Sequence, residues 1–453
     1  MIEVMSLQQA QGITGGVLTG GNPVFSAVGT DTRLLQPQEL FVALKGPNFN
    51  GNNFVQIAEQ SGAAAALVSE SVTARLPLLQ VADTMLALGL LGKYNRCRSK
   101  AKVLALTGSQ GKTTVKEMTA AILSCSGSVL STKGNLNNDI GVPLTLLKIA
   151  AQHQFAVIEM GANAAGEIAY TAGLAQPDIA HITNVAETHL EGFGTLEGVA
   201  KAKAEIWPSI RNGGTAVLNL DDANIPAYFN HRENVRVVTI STNSNTKADY
   251  QLRDFVDLHL FGSSFSLISP QGTTMVNVVL PGRHNACNAL AAAALAMEGG
   301  ATLPQVVQGL GAMKSVKGRL NMLSGLNGAV ILDDTYNASP ASFRAAIDVL
   351  ATLPGLRIVV AGDMGELGSE KNSAHTELGA YAKAKGIQLF FGTGELCSLA
   401  VTAFGRGAVH KDNREQLALA VYPLLTADVH VLVKGSRSAG MEHVVKLLTQ
   451  AQE

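Results

Sequence analysis

The chain of 453 residues has almost no net charge, with 34 Lys plus Arg against 35 Asp plus Glu. No broad electrostatic field gathers nucleic acid or anionic lipid, so any phosphate ligand has to be held locally. Cysteine is scarce: Cys97, Cys125, Cys287 and Cys397 lie far apart and form no CxxC or other metal-like spacing. A reducing compartment fits that usage. The opening MIEVMSLQQAQG lacks a basic segment followed by an apolar one, and the alanine-rich run Ala286 to Met297 is too short and interrupted to cross a bilayer. Neither secretion nor membrane insertion is expected. Short-period repeats and low-complexity tracts are also missing.

What remains is an ordinary globular composition, 47% hydrophobic and 15% charged, with 46 glycines that suit many tight turns between strands and helices. Division by a typical domain size of about 150 residues predicts roughly three domains. Residues 1–83 read as a small α/β unit with apolar strands in LFVALKG and AAAALVSE, and RLPLLQVADT leading out of it. Arg96, Arg98, Lys100 and Lys102 read as a solvated basic face. Residues 84–314 alternate apolar strands, at Val103–Thr107, Phe155–Met160, Ile179–Asn184 and Thr215–Leu220, with helical stretches, which predicts a mainly parallel sheet. LHLFGSSFSLISPQGTTMVNVVLPG predicts an antiparallel hairpin beside that sheet, STNSNTKAD a loop, and Asn285–Met297 a helix. Residues 315–453 repeat the strand-helix rhythm and predict a Rossmann-like domain. The fold class is therefore α/β, in three domains.

The sharpest local signal is VLALTGSQGKTTVKEM, an apolar strand running into Gly108, Ser109, Gln110, Gly111, Lys112, Thr113 and Thr114 and then into a helical stretch. Glycines let backbone N–H groups turn inward at a helix start, where an anion is already favoured. Lys112 supplies a point charge for phosphates and the Thr113 hydroxyl an oxygen for Mg²⁺. The loop is shorter than GxxxxGK[ST], whose first glycine would fall at Leu106. Mg²⁺ calls for a carboxylate at a neighbouring strand end, and Glu159 in FAVIEMGAN fits, although an acid at such a place can simply be solvated. His189 follows the next strand end, where ligands of open α/β sheets collect, but a lone histidine is more often structural. Lys201 and Lys203 read by default as helical surface lysines.

Taken together, TGSQGKTT, NLNNDIGVP, VIEMGAN, THLEGFG, AKAEIW, PGRHNACNALAA, GRL, LDDTYNASP and LVKGSRS resemble the Mur ligases, the ATP-dependent amide-forming enzymes of peptidoglycan precursor synthesis. The resemblance covers the whole chain, including TDTR and FVALKG. NLNNDIGVP, EMGAN, DDTYNASP and LVKGSRSAGME look most like the member that joins D-alanyl-D-alanine to UDP-N-acetylmuramoyl-tripeptide. It implies phosphorylation of the peptide carboxylate by ATP, attack of the dipeptide amine on the acyl phosphate, and release of ADP and phosphate.

By the same resemblance, Lys112 steadies the transferring phosphoryl group, Thr113 and Glu159 hold one Mg²⁺, and His189 serves a second. Lys203 matches a lysine that several relatives carry as a carbamate formed with CO₂, which turns a cation into an oxygen ligand. Asn138 approaches the reacting carboxylate. His284 and Asn288 belong on the adenine side, and Arg319 and Asp334 at phosphates and ribose. Asp31, Arg33, Lys45 and Gly46 line a uridine nucleotide site in residues 1–83, while Asn337, Lys434 and Arg437 meet the amino substrate. A monomer in a bacterial cytoplasm, without nucleic acid, completes the expectation. Competing readings are a Mur ligase that adds a single amino acid, a folylpolyglutamate synthase-like ligase, and a nucleotide switch that makes no amide, although the base-reading NKxD of GTPases is absent.

Overall fold

Strand Lys102–Thr107 carries five buried residues in succession, and its two faces feed different cores. Leu104 and Leu106 pack with helices Lys112–Ser124 and Arg283–Gly299, whereas Val103 and Ala105 pack with Gly141–Leu147 and Glu167–Ala175. A strand covered on both faces has to be apolar throughout, which is why this one lacks alternation. The computed structural model describes residues 1–188, 190–313 and 317–450.

Around that strand stands a nine-stranded sheet in the order Val129–Ser131, Phe155–Glu159, Lys102–Thr107, Ile179–Ile182, Gly214–Asn219, Val235–Ser241, Tyr250–Asp257, Ser263–Ser269, Gly272–Val278. All neighbours are parallel up to Tyr250–Asp257, and the last two strands are antiparallel, as the Gly and Pro-Gln-Gly punctuation predicts. A six-stranded sheet in residues 321–434 is parallel except for its edge strand Asn321–Ser324. A five-stranded sheet lies within residues 17–80. Among the described residues, no helix is long and apolar enough to cross a membrane.

Two readings of the sequence need correction. RLPLLQVADT is not merely a lead-out, because Leu78–Gln80 is a strand pairing with Ala65–Val68 on one side and Val17–Thr19 on the other, with Leu79 in the core. Arg96 does not belong to a solvated face. It is 2% exposed and donates to the carbonyls of Ala175 and Gln176, where helix Glu167–Ala175 ends, and to the Asp178 carboxylate at 2.9 Å. A guanidinium here satisfies helix-terminal carbonyls that have no partner within their own helix.

Candidate active site

The phosphate-type loop leaves the sheet at Thr107 and enters helix Lys112–Ser124 at Gly111, which offers no side-chain cap. That leaves the first N–H groups of the helix for a ligand. Both glycines are demanded by geometry. Gly108 has φ 144° and a Cβ there would run into the Thr183 hydroxyl, while Gly111 has φ 77° and a Cβ there would run into Asn288. The loop is braced from the next strand end: Asn184 accepts from the N–H of Ser109 and, through its side chain, from that of Gln110, and the Thr183 hydroxyl donates to the Gln110 carbonyl. Lys112 folds back to donate to the carbonyls of Gly108 at 2.6 Å and Ser109 at 3.3 Å. Burial lowers its proton affinity, and the nearby Glu159 carboxylate counteracts this.

Glu159, 1% exposed at the end of its strand, accepts at Oε1 from Thr113 at 3.2 Å and from the Asn137 amide at 2.9 Å. Its buried Oε2 has no hydrogen-bond partner among the described residues. A hydroxyl and a carboxylate with one oxygen uncommitted form a hard-oxygen donor pair of the kind Mg²⁺ prefers, with the Lys112 cation beside them for phosphate. Asn138 also lines the cleft, and its Oδ1 accepts from the N–H of Gly141, the first residue of helix Gly141–Leu147, at 2.9 Å. Its neighbour Asn137 is the amide that reaches Glu159, and both asparagines line the cleft. His189 lies outside the described residues. Lys203 is not a surface lysine: it is 1% exposed, its ammonium nitrogen sits 5.1 Å from the Phe193 ring centre, and burial together with the charge of Lys112 brings its pKa down to about 7. Lys201 is exposed and pairs with Glu197.

The loop and Glu159 form one wall of a cleft of about 930 Å³. His284 and Asn288, on the first two turns of helix Arg283–Gly299, line it, and Arg319, Asp334, Asn337, Lys434 and Arg437 line the facing wall. Arg319 reaches the Thr113 hydroxyl at 3.4 Å and lies over Tyr336, while its buried Nε has no partner. Gln110 donates to the Ser339 hydroxyl at 3.2 Å, so the two walls touch directly.

Lys434 and Asp334 meet across this wall. The Lys434 ammonium is already spent on the Asp334 carboxylate at 2.5 Å and on the carbonyls of Asn337 and Asp334, and Asp334 also accepts from the Leu320 N–H. Both side chains line the cleft while bonded to each other, and Arg437, exposed and paired with Glu442 at 3.1 Å, stands with Arg319 as a further cation of this wall. Asp31, Arg33, Lys45 and Gly46 do not line the cleft. Arg33 clasps Asp31, whose carboxyl is held at about 2 by that contact, and Lys45 pairs with Glu70. Sequence reasoning misses Asn137, Thr183, Asn184 and Ser339, although Asn137 and Ser339 lie inside the quoted motifs NLNNDIGVP and LDDTYNASP and Thr183 and Asn184 at the end of a predicted strand.

The family model for the Mur ligase middle domain matches residues 106–296, and that for the Mur ligase glutamate ligase domain matches residues 318–437. The chain is 45% identical to the UDP-N-acetylmuramoyl-tripeptide–D-alanyl-D-alanine ligase of Escherichia coli, over 99% of each chain. The chain belongs to the Mur ligase family. Among solved Mur ligases it is similar to MurF of Acinetobacter baumannii, with TM-score 0.92 and 35% identity over 98% of each chain. MurF of Thermotoga maritima, solved in complex with ADP, matches with TM-score 0.81 and 26% identity, covering 93% of this chain and 96% of that one. The α/β class expected from the sequence is that of these Mur ligases.

Proposed function

We propose that this chain is the ATP-dependent ligase that joins D-alanyl-D-alanine to UDP-N-acetylmuramoyl-tripeptide, giving the pentapeptide precursor of peptidoglycan, ADP and phosphate. The full-length likeness to a ligase of that name supports the substrates. The observation that carries the chemistry is the shared cleft, in which Lys112, Thr113 and Glu159 face Arg319 and Arg437.

On this reading, residues 84–314 bind ATP, residues 1–83 the uridine nucleotide through Asp31, Arg33, Lys45 and Gly46, and residues 315–453 the amino substrate. Loop N–H groups and Lys112 hold the phosphates, and the protein's work is alignment and charge neutralisation more than covalent chemistry. The peptide carboxylate attacks the γ-phosphoryl group, whose bond to ADP breaks. His284 and Asn288 hold the base, and Arg319, free at Nε, neutralises phosphate charge from the facing wall. Thr113 and Glu159 would hold Mg²⁺, which supplies charge neutralisation between carboxylate and phosphate oxygens; His189 and Lys203 would serve a second ion. At a pKa of about 7, Lys203 spends much of its time as a neutral amine at neutral pH. Its lone pair can add to the carbon of CO₂ with loss of a proton, giving the anionic carbamate. We place the protein in the bacterial cytoplasm as a monomer.

The deciding experiment is ATP-dependent phosphate release with UDP-N-acetylmuramoyl-tripeptide, comparing D-alanyl-D-alanine with D-glutamate, L-alanine and a diamino acid, with mass spectrometry of the product. Release with the dipeptide alone supports the reading. Release with a single amino acid moves the chain to another Mur ligase step, and tight nucleotide binding without any amide makes it a switch.

A further inference from the structure

Strand Leu356–Gly362 delivers the chain to the cleft, and the residues after it are fastened from behind. The Asp363 carboxylate accepts from the N–H groups of Cys397 at 2.7 Å and Leu396 at 3.3 Å, its carbonyl accepts from Ser436 at 2.9 Å, and the Met364 N–H donates to His375 Nε2 at 3.0 Å. Asp363, His375 and Cys397 are grouped closely enough to suggest a metal cage. Their bonds argue otherwise. His375 spends its second ring nitrogen on the Lys371 carbonyl at 2.6 Å, and both carboxylate oxygens of Asp363 already accept N–H groups. The cluster is a clamp on the loop.

What the clamp presents is Glu366. Its backbone is left-handed, φ 62°, a region that residues other than glycine seldom occupy and that marks functional positions when the surroundings enforce it. It lines the cleft with Lys112 and Arg437, and its charge is felt at Lys112. A Cβ on neighbouring Gly365 would stand 3.7 Å from that of Ser436, the residue before Arg437. An anion and a cation are therefore carried into one cleft on two touching loops. A dipeptide is a zwitterion, and it needs a cation for its carboxylate and an anion for its ammonium group.

We propose that Glu366 receives the α-ammonium group of the incoming amino substrate and takes one of its protons, an inference that rests on the ligase reading above. The ammonium form has no lone pair with which to attack. Transfer of one N–H proton to the Glu366 carboxylate frees the pair, which forms the C–N bond at the acyl carbon. The C–O bond to phosphate then breaks, its electron pair leaves with the phosphate, and the second amine proton departs with that group. Arg437 holds the substrate carboxylate meanwhile.

The test compares Glu366→Gln, Glu366→Asp and the unchanged protein with two acceptors, D-alanyl-D-alanine and hydroxylamine. Hydroxylamine is already neutral at pH 7 and traps an acyl phosphate as hydroxamate without a proton acceptor. For Glu366→Gln the dipeptide rate falls about 10²- to 10⁴-fold. Hydroxamate formation stays within about twofold of the unchanged protein, and Glu366→Asp recovers part of the dipeptide rate. A dipeptide rate equal to that of the unchanged protein overturns the role, and so does an equal loss with both acceptors, which means the loop was only structural. If the unchanged protein itself forms neither amide nor hydroxamate, the ligase reading fails and takes this inference with it.

Discussion

Lys434 and Asp334 sit opposite each other on adjacent parallel strands, and the ammonium nitrogen of one lies 2.5 Å from a carboxylate oxygen of the other. Both are largely buried, and burial presses Lys434 toward its neutral form while Asp334 opposes this. Removing one partner strands the other. Lys434→Ala is expected to cost about 3–5 kcal/mol of stability, read from urea denaturation. A loss below about 1 kcal/mol would show that water already shares the pair.

His181, fully buried in the strand beside Lys102–Thr107, has its pKa lowered to about 4 by desolvation, and its Nδ1 contacts the Val217 carbonyl at 2.8 Å. The unfolded chain binds more protons than the folded one between about pH 4 and 6.5, so the contribution of this group is complete above 6.5 and is lost as pH falls toward 4. Each tenfold change in proton affinity is worth about 1.4 kcal/mol, so the loss amounts to roughly 3 kcal/mol. Unfolding free energies measured across that window should decline less steeply in His181→Leu than in the unchanged protein. Parallel declines would contradict the assignment.

Gly108→Ala meets both a left-handed backbone and the Thr183 hydroxyl. It is expected to destabilise the fold by about 1–3 kcal/mol and to weaken ATP binding at least about tenfold in calorimetry. Unchanged affinity would mean that the loop can re-form around a side chain.

Asn137 and Asn138 both line the cleft but hold different groups, the Glu159 carboxylate for one and the Gly141 N–H for the other. Asn137→Ala leaves Glu159 with one fewer donor and should raise the Mg²⁺ concentration for half-maximal activity about tenfold or more. Asn138→Ala removes the acceptor of the Gly141 N–H and should lower stability by about 1 kcal/mol without that shift. The same Mg²⁺ dependence in both variants would refute the distinction.

The difference between these asparagines shows where the sequence can be read and where it cannot. Gly108, Gly111, Lys112 and Thr113 are legible because a strand, a tight turn and a helix start are all local, and each imposes its residue type within a few positions. Which of two adjacent amides turns toward Glu159 depends on how the chain bends before Gly141, and no periodicity encodes that. Arg96 and Lys203 look like surface cations in sequence, because their burial is decided by elements far along the chain: carbonyls at the end of helix Glu167–Ala175 for one, the Phe193 ring and Lys112 for the other. Lys434 can be assigned to the correct wall from its motif, but its partner lies a hundred positions away in a neighbouring strand.

Helix Arg283–Gly299 is buried mostly as alanine, and it packs in one core with helix Lys112–Ser124. Methyl groups leave nothing to rotate, so the two axes have a single distance of approach. Asn288, in the second turn of one rod, stands against Gly111, where the other begins. A bulkier residue at one of these buried alanines would push the axes apart and carry Asn288 away from the phosphate loop.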